Sequence, residues 1–193
     1  MNKTLWIIIA IVVVLGIMGV SKYNTMVSKD EAVVTQWANV ETQYQRRADL
    51  IPNLVNTVKG YASHEKDVFE SVTKARAQAT SVTIDASNLT PAMMQQYQAA
   101  QSGLNSALSR LLAVAERYPE LKANQNFLEL QAQLEGTENR IAVERRRYNE
   151  MAQDYNVYIR KFPNSMFSGM FGFERRPPFE AEKGSEKAPD VQF

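Results

Sequence analysis

The adjacent pair His64-Glu65 is the one place where this sequence begins like a catalytic metal motif, in which a glutamate base follows the first histidine and a second histidine stands four residues on. The fourth position is Val68, and His64 is the only histidine in the chain, so a zinc site of that type is excluded. A site made of carboxylates alone would need several acids on inward faces. Glu129, Glu135 and Glu138 lack the Glu-x-x-His pairing that metal-binding bundles use, so no metal or other cofactor is expected. Nucleophilic hydrolysis is hardly better served. Cysteine is absent and only a Ser-Lys arrangement would remain, yet nothing singles out such a pair. There is no glycine-rich phosphate loop, and no small-molecule substrate is evident. A hydrolase with an unrecognised site is therefore the weaker reading, and a module without catalysis the stronger.

Two polar stripes carry more information. Arg46, Asp49, Asn53 and Asn56 recur at three or four residues along one helical stretch, and Glu138, Arg145, Asn149 and Asn156 do so along another. Each stripe lies beside an apolar seam. It could form a surface that recognises a protein partner, or a set of interhelical hydrogen bonds and ion pairs that fixes register; the second use of buried polar groups is the better attested and is the one expected. Arg145-Arg146-Arg147 points in three directions on a helix, with Glu144 and Glu150 beside it, so a solvated face is expected rather than a lipid-phosphate site.

These side chains must be positioned by long helices. Between Asn24 and Pro163 the glycines are Gly60, Gly103 and Gly136 and the prolines before the end are Pro52, Pro91 and Pro119, amid plentiful Ala, Gln, Leu, Glu and Arg. Trp37, Tyr44, Ile51 and Val58 fall seven apart, with Val33, Val40 and Leu54 between them, which predicts a helix to about Lys59. Pro52 lies inside that pattern and frees the carbonyl of Ala48; because the phase continues past it, a kink is expected rather than a new helix. After Gly60, either a break with Ser63 as candidate cap or only a bend should lead into a shorter helical stretch that carries Phe69, Val72 and Ala79. Thr90-Pro91 reads as a cap followed by a first-turn proline. Tyr97, Leu104, Leu111 and Tyr118 then repeat at sevens as far as Pro119, and Phe127, Leu134, Ile141, Tyr148, Tyr155 and Phe162 as far as Pro163. Such seams on neighbouring helices predict antiparallel packing.

From Thr4 to Ser21 no residue is charged, and Lys3 and Lys22 flank the run. Eighteen helical residues span roughly 27 Å, enough for the hydrocarbon core of a bilayer. An uncleaved single-pass anchor is expected in preference to a signal peptide, with residues 4–21 in lipid. The short N-terminal flank favours a helical domain outside the cytoplasm, in the periplasm, with a cytoplasmic domain as the alternative. From Asn24 to Pro163 there are 16 Lys or Arg and 16 Asp or Glu, so no polyanion footprint exists and nucleic-acid binding is not expected.

The blocks Arg46-Arg47-Ala48-Asp49-Leu50-Ile51-Pro52-Asn53-Leu54-Val55 and Val58-Lys59-Gly60-Tyr61, then Glu116-Arg117-Tyr118-Pro119-Glu120-Leu121-Lys122-Ala123-Asn124, resemble the signature of the LemA family. So do Thr137-Glu138-Asn139-Arg140-Ile141, Arg147-Tyr148-Asn149, Tyr155-Asn156, Phe162-Pro163 and Phe171-Gly172-Phe173. The similarity runs from about Tyr23 to Glu174, and the tail beyond departs from it. It implies a four-helix antiparallel bundle anchored in a bacterial membrane, in a family with no established biochemical activity and with relatives implicated in membrane-compartment formation. It supplies no catalytic residues.

The expected fold is thus all-α: a transmembrane anchor (1–22), an up-and-down four-helix bundle (23–163), a Phe/Met-rich segment (164–176) and a disordered tail (177–193). Phe167, Met170, Phe171 and Phe173 would be costly to expose and should pack on the bundle, a second protomer or the membrane surface. The function expected is a scaffold or interaction module of the cell envelope that binds a protein partner or itself, or an accessory subunit that positions another membrane protein.

Overall fold

The computed structural model describes residues 3–180. Among them there are helices and no strands: α1 (Lys3–Lys59), α2 (Lys66–Ser81), α3 (Pro91–Ala115), the short α4 (Pro119–Lys122), α5 (Gln125–Arg160) and α6 (Asn164–Phe171), with a single 3-10 turn at Ala86–Asn88. The 57 residues of α1 extend about 85 Å, so the apolar run and the first seam are one uninterrupted helix with no break at the expected 22/23 boundary. The N-terminal part of α1 is long and apolar enough to cross a membrane, and its side chains are almost wholly exposed.

Pro52 sits within α1 without ending it. The carbonyl of Ala48 that it deprives of a donor is satisfied from outside the helix: Arg76 Nε on α2 donates to it at 2.8 Å. The turn after Lys59 closes through main-chain bonds from Ala62 N to Val58 O (2.9 Å) and from Glu65 N to Ala62 O (3.1 Å). Glu65, not Ser63, occupies the cap position of α2, and it makes no side-chain cap bond. Thr90 Oγ1 caps α3 by accepting from Met93 N at 3.3 Å, with Pro91 in the first turn. Asn124 Oδ1 does the same for α5 through Phe127 N at 3.0 Å.

Residue numbers that rise along α1 meet numbers that fall along α5. Lys29 pairs with Asp154 (2.5 Å), Gln36 with Glu144 (2.7 Å), Arg47 with Glu138 (2.6 Å), and beyond the end of α1 Tyr61 with Asn124 (2.9 Å). The buried residues form two clusters. One gathers Ile51, Leu54, Leu104, Leu111, Phe127 and Leu134, and the other Trp37, Tyr44, Tyr97, Ile141, Tyr148 and Tyr155.

The seams predicted from sequence are the buried faces, with two exceptions: Tyr118, beyond the end of α3 at Ala115, is half-buried, and Phe162 is exposed. Phe162, the sixth member of the last seam, is 81% exposed, because α5 ends at Arg160 and the chain turns away before the next heptad position can face the core. Ile141 is fully enclosed, so Ile141→Ala should lower unfolding stability by about 2–5 kcal/mol. Arg146→Ala, on an exposed position of the same helix, should change it by no more than about 0.5 kcal/mol in the same denaturant melts.

Candidate functional site

The Tyr-Asn pairs of α5, Tyr148-Asn149 and Tyr155-Asn156, are seven residues apart and so project from one face about 10 Å from each other. Residues 174–180 run along that face as a strap. Asn156 Nδ2 donates to Arg176 O (2.8 Å) while its Oδ1 accepts from Arg176 N (2.9 Å); Asn149 Nδ2 donates to Phe179 O (3.0 Å) while its Oδ1 accepts from Phe179 N (2.8 Å). Tyr155 Oη donates to Glu174 O at 2.9 Å and Tyr148 Oη to Pro177 O at 3.0 Å. Three residues of extended chain also cover about 10 Å, which is why every seventh residue of a helix can hold every third residue of the strap. A carboxamide carries the donor and acceptor of a peptide group, so both asparagines read main chain without regard to side chain. Pro177 and Pro178, lying between the clasped residues, have no N–H to leave unpaired.

Two strap side chains add specificity. Arg176 is buried: its Nε and Nη2 make a fork to the two carboxylate oxygens of Asp30, both at 2.7 Å, and its Nη1 donates to the carbonyls of Ala86 (3.0 Å) and Ser87 (2.7 Å). The hydrogen bonds to Asp30 hold the guanidinium even above its usual range. Phe179 stacks on Trp37 with ring centroids 5.5 Å apart and meets Tyr148 edge-on at 5.3 Å, under the guanidinium of Arg145 at 4.9 Å. Burial, with a smaller contribution from Asp30, pushes the Tyr155 hydroxyl up to about 12 and moves Tyr148 in the same direction. Both therefore remain neutral donors at any physiological pH.

A second polar centre lies between the two apolar clusters. Arg47 is 1% exposed; its Nη1 donates to Glu138 Oε1 (2.6 Å) and Asn105 Oδ1 (2.5 Å), its Nη2 to Gln101 Oε1 (2.7 Å), and its plane covers the Tyr44 ring at 5.0 Å. Gln101 Nε2 donates onward to Ala79 O at 3.3 Å. Helices α1, α3 and α5 thus meet through one guanidinium, and α2 joins them through Gln101.

The two stripes read from sequence do not face each other. Arg46, Asp49, Asn53 and Asn56 are all exposed, and Asp49 accepts only from Gln45 of its own helix, at 2.9 Å. The stripe on α5 is fully engaged: Glu138 holds Arg47, Asn149 and Asn156 hold the strap, and Arg145 covers Phe179 and donates to Glu180 O at 3.1 Å. Residues 177–180, expected to be unordered, form the end of the strap because Phe179 has an aromatic site and its main chain has donors and acceptors in register; residues 181–193 lie outside the described residues. Of the Phe/Met segment, Phe167 and Phe173 pack at the edge of the core, whereas Met170 and Phe171 are exposed.

Sequence reasoning passed over Arg47, Asp30, Arg176 and Phe179. A signal for Arg47 was present: Val33, Val40 and Leu54 repeat at sevens with Arg47 in the vacant place. His64 is exposed, and among the described residues no three His, Cys, Asp or Glu side chains gather as a metal site would need.

Two measurements check these assignments. Glu138→Ala should destabilise the folded chain by on the order of 1–3 kcal/mol, since it removes the carboxylate from a buried cation, while Asp49→Ala should change stability by less than about 0.5 kcal/mol. In hydrogen exchange, Asn149→Ala and Asn156→Ala should each abolish protection of the Phe179 and Arg176 amides and leave the α1 and α5 amides protected.

The LemA family profile matches residues 36–193, beginning inside α1 and continuing through the strap, so the match includes the residues after Glu174 that were expected to depart from the family. Magnetosome proteins MamQ 1 and MamQ 2 of Paramagnetospirillum magneticum are each 29% identical over 187 residues, covering 88% of this chain and 68% of theirs. MamQ of Magnetospirillum gryphiswaldense is 27% identical over 191 residues with the same coverage. Protein LemA of Metamycoplasma hominis is 21% identical over 143 residues, covering 74% of this chain and 62% of its own. With more than three quarters of its residues matched by the family profile, the chain belongs to the LemA family.

Proposed function

We propose that this protein is a membrane-tethered scaffold, without catalysis, in which an antiparallel four-helix bundle of α1, α2, α3 and α5 is held rigidly against one face of a bacterial inner membrane. The observation that carries this reading is the unbroken α1: its first third is an exposed apolar rod and the rest is a wall of the core. A hinge would let the bundle wander, whereas a shared helix transmits the orientation of the anchor. Tethering also concentrates the bundle at the membrane, so weak lateral contacts to a partner or to a second copy suffice for assembly. The antiparallel arrangement is supported by the falling α5 numbers along α1 and by the pairs Gln101–Ala79 and Arg110–Ser71 between α3 and α2. The names of the MamQ relatives state no reaction, and their association with magnetosomes fits assembly better than turnover. The periplasm is the proposed side.

Because the chain has no cysteine, engineered pairs report cleanly. Gln36→Cys with Glu144→Cys should oxidise to an intramolecular disulfide in membranes, and Gln36→Cys with Gln125→Cys should not; the reverse pattern would refute the helix arrangement. Protease added to spheroplasts should degrade the bundle, and full protection would move it to the cytoplasm. Crosslinking in intact membranes should give a self-adduct or one recurrent protein partner, and a chain that stays strictly monomeric would refute the scaffold.

A further inference from the structure

Helix α6 lies where the apolar run of α1 ends. Its inner side is fixed: Ser168 Oγ donates to Ile159 O at 2.9 Å, and Asn164 Nδ2 donates to Tyr158 O at 3.0 Å. The Phe167 ring closes on Gly19, where a Cβ would stand 3.4 Å from the ring edge. Tyr23 meets Phe171 edge-on at 5.0 Å and Phe173 at 5.7 Å. Gly19 and Tyr23 straddle Ser21, the last residue of the charge-free run. At about 1.5 Å per residue, Phe167 and Phe171 of α6 therefore touch α1 at points within roughly 3 Å of that level on either side.

The outer side of the segment is apolar and uncovered. Met166 and Met170, four residues apart on α6, are 64% and 75% exposed, Phe162 in the turn before the helix is 81% exposed, and Phe171 is 44% exposed. No residue from Phe162 to Phe173 is charged, although cations flank the segment at Lys22, Arg160 and Lys161. The ammonium of Lys22 lies 5.9 Å over the Tyr158 ring, and Lys29 lies 5.4 Å over it while bonded to Asp154. Apolar side chains held at the end of a lipid-crossing helix, with cations and tyrosines around them, match the composition of a membrane interface.

We propose that α6 and the turn before it form an interfacial foot: Met166 and Met170 of the helix, with Phe162 of the turn, enter the boundary between headgroups and acyl chains of the leaflet from which α1 emerges. The foot and α1 then form two points of attachment that set the tilt of the helical body against the bilayer. The ligand is the lipid surface itself, and the continuity of this patch with the apolar run of α1 selects it over a second copy. The inference rests on the reading of α1 as a membrane span.

The test uses the full chain in vesicles of phosphatidylcholine and phosphatidylglycerol, with nitroxide-labelled single-cysteine variants Met166→Cys and Met170→Cys at the foot, Ile11→Cys in the span and Arg146→Cys on exposed α5. Oxygen, which partitions into lipid, should relax the labels at 166, 170 and 11, while a water-soluble nickel chelate should reach 166 and 170 several-fold less than 146. Depth at 166 and 170 should fall between those at 11 and 146. Nickel access at 166 and 170 equal to that at 146, with 11 still shielded, would overturn the foot and leave the span standing. Nickel access at 11 as well would overturn both. Shielding of 166 and 170 from both reagents, with spectral broadening that grows with the protein-to-lipid ratio, would assign the patch to a second copy and overturn the proposal.

Discussion

Arg47 is enclosed at the level where the two apolar clusters meet, and a guanidinium there is tolerable because both of its terminal nitrogens are held at fixed places. Glu138 supplies the charge and Asn105 and Gln101 supply oxygens, with Gln101 standing in the row that Leu108 and Ala115 continue on α3. Sliding α5 or α3 by one turn would offer Arg47 an apolar neighbour and strand a buried charge, at a cost well above that of the lost packing. Leucine and tyrosine seams alone tolerate such slippage far better, because one heptad looks much like the next. The polar layer therefore sets the vertical alignment that the Tyr-Asn face, the Asp30 fork and the Trp37 site all presuppose.

Above and below that layer the requirements differ. Toward Lys59 the core is mainly aliphatic, with Ile51, Leu54, Leu111 and Leu134 in one buried cluster. Toward Tyr23 it is aromatic, with Trp37, Tyr97, Tyr148 and Phe179 arranged edge-to-face and stacked. Rings with polar tips suit that end, where the core must be closed by a piece of irregular chain whose carbonyls need donors.

The sequence was most legible where one period repeats. The four seven-residue rows fix which faces of α1, α3 and α5 turn inward, and Thr90-Pro91 announces its boundary because capping is local chemistry. Legibility failed where a partner comes from far along the chain. Arg46 and Arg47 are equally cationic, and only the seam phase distinguishes the exposed one from the buried one. Asn149 and Asn156 stand out by spacing, yet that they serve a main chain rather than a facing helix depends on where Arg176 and Phe179 arrive. Arg175-Arg176-Pro177-Pro178-Phe179 has the composition of a solvated tail. Its order comes from Asp30, 146 residues away, which no local pattern encodes.

That separation also fixes an order of events during biosynthesis. The strap leaves the ribosome after α1 and α5, so the surface it covers is assembled before it arrives. Until then the indole of Trp37 lacks its stacking partner and the carboxylate of Asp30 its counter-ion. A polypeptide cut short after α5 would display this aromatic and acidic surface, the kind of feature by which chaperones and proteases distinguish an unfinished protein from a finished one. Docking of Arg176 and Phe179 is thus a closing step, taken only after both helices that it seals have been made.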